Sequence, residues 1–176
     1  MNIIDYFRAE RRRLHEELRF AVNNLTTDEW HYTIPGTGNH IAFLMWHIVR
    51  TEDILVHVAL QERRPIWKEY NWPERLSLPP RAQGLGMPTE DAHAVHINDP
   101  ALFMEYAEQV WRASEEYLAS ITDGGARLSE YMITLQPLGE RNGLELIGHA
   151  CLSHPLMHLG EIMLLRGAMN KKGNSL

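Results

Sequence analysis

Ten histidines and a single cysteine stand in a chain of 176 residues. Neutral imidazole is the commonest protein ligand for transition-metal ions, so this abundance points to metal chemistry before any motif is read. His154 and His158 lie four residues apart in Cys151-Leu152-Ser153-His154-Pro155-Leu156-Met157-His158-Leu159-Gly160-Glu161-Ile162, a stretch that otherwise reads as helix. At about 3.6 residues per turn that spacing stacks both rings on one face, one turn apart. The same geometry lets two histidines chelate one ion. Cys151 lies near the same line, as a small core residue or as a soft ligand or reactive thiol. Glu161 falls almost two turns beyond His154, placed either to orient a histidine from behind or to sit as a charge near a helix end. Two ligands do not make a catalytic site, so a third must come from another element.

The elements that must supply it follow from hydrophobic periodicity. Ile4, Phe7, Leu14, Leu18, Ala21 and Leu25 form one stripe of a helix over residues 2 to about 24. Thr26-Thr27-Asp28-Glu29 reads as a capping box before Trp30. Ile34-Pro35-Gly36-Thr37-Gly38 reads as a loop, after which Asn39 or Thr37 can cap a helix over about 39–61. Its inner face is His40, Leu44, His47, Thr51, Leu55 and Val58. His47 is therefore mid-helix on a core-facing stripe, where an unpaired ring costs about 1–3 kcal/mol. His40 shares that face but falls at the fraying start.

From Arg63 to Asp99 periodicity is lost among Pro65, Pro73, Pro79, Pro80, Pro88, Gly84 and Gly86. Trp67, Tyr70 and Trp72 argue against disorder, so the segment reads as an ordered crossover with a short helix near 89–96. A connection of this length without regular structure is typical of a functional lid. Its His93 and His96 read as exposed. Asp99-Pro100 is a strong helix start, and the stripe Leu102, Phe103, Tyr106, Val110, Ala113, Tyr117 and Ile121 runs to a stop at Asp123-Gly124-Gly125. Residues 126–141 combine a short helix around Leu128 with a brief extended piece at Ile133-Thr134-Leu135. The last long helix is expected over about 142–169, with Gly173 in the Lys-Lys-Gly tail as its end.

Four long helices predict an all-α fold, a four-helix bundle with a long crossover between helices 2 and 3, as one domain over residues 1–176. Bundles build metal sites where inward faces meet. His47, His154 and His158 are the three histidines that sit mid-helix on such faces. Three imidazoles leave an ion with open positions, as a catalytic site requires; the competing reading is three core histidines hydrogen-bonded to their neighbours. Glu90-Asp91-Ala92-His93 has di-iron spacing, but that site needs two such motifs on long helices and only one occurs. No His-Glu-x-x-His, Gly-x-Ser-x-Gly, P-loop or Gly-x-Gly-x-x-Gly is present.

The totals narrow the class further. A net charge of −6 argues against nucleic acid as a partner. No run approaches the ~18 apolar residues that span a bilayer, and the N-terminus lacks a signal-peptide core. One cysteine excludes an intramolecular disulfide framework. The expectation is a cytoplasmic protein with no membrane partner.

His154-x-x-x-His158-Leu159-Gly160-Glu161-Ile162, ending at Leu165-Arg166-Gly167, resembles the last-helix motif of the DinB-like superfamily. Leu44-x-Trp46-His47-Ile48 resembles its second-helix motif, and Tyr106 with Tyr117-Leu118 its third helix. The match spans nearly the whole chain, including the crossover around Leu85-Gly86-Met87. The resemblance implies a four-helix bundle holding one divalent metal ion, zinc or nickel, on three histidines that map to His47, His154 and His158. It also implies a homodimer and a small-molecule substrate. Related proteins of known activity are transferases or isomerases that use a low-molecular-weight thiol (mycothiol, bacillithiol or glutathione) as co-substrate. The alternative is a non-catalytic, stress-associated metal-binding homodimer. Pro155 departs from the motif: it removes the hydrogen bond to the Cys151 carbonyl and disfavours helical geometry at His154, so either a kink there or a re-aimed site is expected.

Overall fold

A computed structural model describes residues 1–35, 38–137 and 139–173. Helix α1 (Ile3–Val22) opens on a capping box in which Asn2 and Asp5 exchange side-chain bonds. It buries Ile4, Phe7, Leu14, Leu18 and Ala21, the predicted stripe. The Thr26–Glu29 box opens the one-turn α2 (Thr27–Trp30). The next helix, α3 (Ile41–Glu52), continues without a break as a π-helical stretch, Asp53–Leu60. The cap of α3 is His40, whose ring nitrogen Nδ1 accepts the Phe43 N–H at 3.0 Å; Asn39 does not cap it, and Thr37 lies outside the described residues. His40 is thus 2% exposed rather than frayed.

Every residue from Ile41 to Arg50 is buried, so α3 has no solvent face along that stretch. A single inner stripe does not describe it. The crossover folds back over the side that a simple bundle would leave wet, with short helices α4 (Ile66–Glu69), α5 (Trp72–Leu76) and α6 (Thr89–His93). Trp67 and Trp72 are buried in the main core with Val95 and Ile97. Further along, Val58 turns outward at 39% exposure, because the π stretch shifts the stripe.

Helix α7 (Pro100–Ser120) starts at the Asp99 cap and packs on α1, α3 and the π stretch. After α8 (Ala126–Glu130) a two-stranded antiparallel hairpin forms, β1 (Met132–Leu135) against β2 (Gly139–Asn142), with Thr134 opposite Glu140. The expected extended piece is therefore half of a small sheet on an otherwise helical fold. The last long helix has three parts: α9 (Gly143–Gly148), a π-helical stretch His149–Ser153, and α10 (His154–Ala168). It ends at Asn170 in the left-handed conformation, ahead of Gly173.

The bundle also buries charge. Glu52 is fully inside, bonded to Arg11 at 3.1 Å and to His15 at 3.0 Å. Burial would raise its carboxyl, but His15 and Arg11 outweigh that and hold it at about 2. Removing one partner would leave a buried charge unpaired, so this network specifies how α1 and α3 meet. No described helix is long and apolar enough to cross a membrane.

Candidate metal centre

The site is built around one glycine in the crossover. Gly84 has φ +94°, and a Cβ there would lie 2.8 Å from His47 Nδ1 and 3.0 Å from the Phe43 ring. Because the residue is glycine, the preceding carbonyl, Gln83 O, reaches His47 and accepts the Nδ1–H. A carbonyl can only accept, so this bond fixes the tautomer and leaves the lone pair on His47 Nε2. His158 is held the same way from its own helix: Glu161 Oε1 lies 3.1 Å from His158 Nδ1 and accepts its proton. Glu161 therefore orients a histidine, one of the two roles its spacing allowed.

His154 completes the group. Its Nε2 lies 3.0 Å from His47 Nε2, and the three ring centroids are 4.6 to 5.1 Å apart. One donor nitrogen from each of the three lies within 4.8 Å of the other two, so His47, His154 and His158 could hold a metal ion. A tetrahedral ion with bonds of about 2.0–2.1 Å to nitrogen sets its ligand nitrogens about 3.3 Å apart, close to the His47–His154 separation. As the side chains stand, His154 Nε2–H donates to His47 Nε2. Burial, and then the neighbouring imidazoles, lower the His154 ring to about 3. Burial lowers His47 as well, against the Gln83 carbonyl. Low proton affinity keeps both rings neutral near pH 7, the form that binds metal.

Residues 4–162 match the DinB superfamily. The chain belongs to that superfamily. Among solved structures it is similar to a conserved protein from Enterococcus faecalis, with a TM-score of 0.84 and 21% identity over 97% of this chain and 99% of that one. At that identity the likeness shows a shared fold. No curated protein matches the chain.

Beside the triad of this DinB-superfamily chain lies a cavity of about 100 Å³. Ile54, Leu55, Leu85 and Leu135 give it apolar walls, and Thr51, Gln136 and His149 give it polar groups. Thr51 and Leu55 were on the predicted stripe with His47. His149 was not singled out, because five residues before His154 is the wrong face of an α-helix. In the π-helical stretch the His154 N–H donates to the His149 carbonyl, five residues back. That winding brings the two rings to 5.4 Å. Just before Pro155 the helix thus widens to bonds that reach five residues back in place of four.

Gln83 and Gly84 were also missed, since a backbone carbonyl has no signature in a side-chain pattern. Gly84 carried the available signal, a glycine in a lid-length crossover. Cys151 is fully buried outside the triad, and burial pushes its thiol well up, so it is a core residue. His93 and His96 are exposed but not isolated: His96 stacks on His31 at 3.9 Å and His93 faces His40 at 5.7 Å. Among the described residues Glu90 joins no metal-type cluster.

Proposed function

We propose that this DinB-superfamily protein is a metal-dependent enzyme in which His47, His154 and His158 hold one divalent ion, zinc or nickel, beside which a thiol or water attacks a small electrophile. The convergence of three imidazoles beside a mostly apolar cavity carries the reading. An ion with three protein ligands keeps a position open. When bound, it would supply Lewis acidity that lowers the pKa of a thiol or water toward neutrality.

The chain's own residues do the rest. Gln83 and Glu161 hold two ligand rings by their Nδ1–H groups. Ile54, Leu55, Leu85 and Leu135 exclude water from the reacting atoms, while Thr51, Gln136 and His149 orient the electrophile. His154 Nδ1 is buried without a partner; with Nε2 on an ion, Nδ1 would carry the ring proton, and an acceptor on a substrate in the adjoining cavity would satisfy it. The cavity admits a small electrophile only, so a low-molecular-weight thiol co-substrate would present its sulfur from outside.

A second reading, a non-catalytic stress-associated homodimer stapled by the ion, is favoured by the apolar face of α10, where Leu156, Met157 and Leu164 are 56%, 58% and 66% exposed. The two separate on one assay. Protein loaded with zinc or nickel is mixed with a small thiol and an epoxide or chloronitrobenzene. Consumption of the thiol that is lost on chelation and in His158→Ala, with the fold retained, supports the enzyme. Thiol loss at the uncatalysed rate, with unfolding on chelation, supports the staple.

A further inference from the structure

Asp53 and His57 take no part in the triad. Both sit in the π-helical stretch Asp53–Leu60, a geometry that is rare and gathers at functional sites. They face α7 and the crossover, whereas Ile54 and Leu55 of the same stretch face the triad cavity. Asp53 Oδ1 accepts the Ile66 N–H at 2.9 Å, and Oδ2 accepts the Trp67 N–H and the Tyr106 hydroxyl, each at 2.9 Å. Arg50 donates to the same Oδ2 at 3.1 Å. His57 Nδ1 lies 3.0 Å from Oδ1 of this acceptor and donates to it, which leaves a lone pair on Nε2.

His57 is 3% exposed, and its Nε2 has no partner. Buried ring nitrogens are rarely left so. The histidine lies in the wall of a cleft of about 750 Å³, far larger than the triad cavity and sharing no lining residue with it. That volume is in the range of about 300–1,000 Å³ typical of small-molecule sites.

The lining carries four arginines and four glutamates around buried Ile66 and Trp72. Arg75 lies over the Trp72 ring at 3.6 Å and pairs with Glu105, and Glu108 is held by Arg19. Among the described residues, the exposed Arg63, Arg64, Arg112, Glu69 and Glu116 make no side-chain ion pair within 4 Å. The unpaired groups are of both signs, so the cleft offers a place to a carboxylate and a place to an ammonium. They suit one molecule that carries both charges.

We propose that this cleft is a second binding site, for a short peptide-like zwitterion with an apolar side chain. Its carboxylate faces the free arginines, its ammonium faces the free glutamates, the side chain lies against Trp72, and an N–H reaches His57 Nε2. The full chain, labelled with nitrogen-15, is titrated with alanyl-phenylalanine and, separately, with N-acetyl-phenylalaninamide, which lacks both charges. The dipeptide is expected to bind saturably with a dissociation constant below about 1 mM, shifting the Ile66 and Trp67 amides, the Trp72 indole and the His57 ring nitrogens. The blocked compound binds at least about tenfold more weakly, as do the surface variants Arg64→Ala and Glu116→Ala. His158→Ala binds the dipeptide unchanged, so failure of the metal reading leaves this site standing. No saturable shift, or equal binding of both compounds, or equal binding by both surface variants, overturns it.

Discussion

At the scale of single residues, His47 and His158 are each aimed by the group behind the ring, whereas His154 Nδ1 has no partner. Gly84→Ala puts a methyl group where only 2.8 Å separates it from His47 Nδ1, on a backbone with φ +94°. The ring must move off Gln83 O. The expected outcome is a loss of about 1 kcal/mol or more in stability from the backbone alone, and ion affinity reduced about 10–100-fold. Competition titration with a chelator of known affinity measures it. Glu161→Gln is milder in structure: Glu161 is half exposed, so the melting temperature should hardly change, yet His158 loses its carboxylate partner. Ion affinity is again expected to fall about tenfold or more. The three histidines were legible in the sequence because each sits on a helical stripe and two share an i, i+4 spacing. Their supports were legible only in part. Glu161 has a position on the helix face, whereas the Gln83 carbonyl belongs to a crossover with no periodicity to read.

At the scale of elements, the long helices followed from their apolar stripes and caps, since Asp99-Pro100 and the Thr26–Glu29 box are local chemistry. The π-helical stretches did not, because widening a helix leaves no mark on composition. Only the one beside Pro155 has a visible local cause: a missing N–H at residue 155 releases the Cys151 carbonyl. Pro155→Ala restores that donor and should let His149–Ser153 relax toward an α-helix, moving the His154 N–H from the His149 carbonyl to the Ala150 carbonyl. Amide exchange over residues 149–155 and ion affinity should then both change. If neither does, packing rather than proline sets the winding, and the placement of His149 beside the cavity has another origin. The burial of α3 on all sides was hidden for a related reason. It depends on where the crossover lies, and the tryptophans that anchor it said that it packs without saying on what.

At the scale of the whole molecule, buried histidines make stability depend on pH. Burial lowers His15, His31 and His40 together, His40 to about 4 from an ordinary 6.5. Between those two values the unfolded chain holds a proton at residue 40 that the folded chain refuses, so stability is present above about 6.5 and falls as pH falls toward 4. Urea unfolding at pH 7 and pH 5 should show the loss, and His40→Asn, which keeps a capping acceptor for Phe43 N–H, should flatten it. An unchanged pH slope in that variant would show that the seam of His31, His40, His93 and His96 does not control acid sensitivity. Whether the triad holds an ion is decided by the metal content of the untagged protein, wild type beside His47→Ala and His158→Ala, with a thermal melt of each. One zinc or nickel ion per chain is expected in the wild type, lost in both variants while each still melts as a folded protein. No bound metal under any loading condition would contradict it and leave three hydrogen-bonded histidines in a helical core.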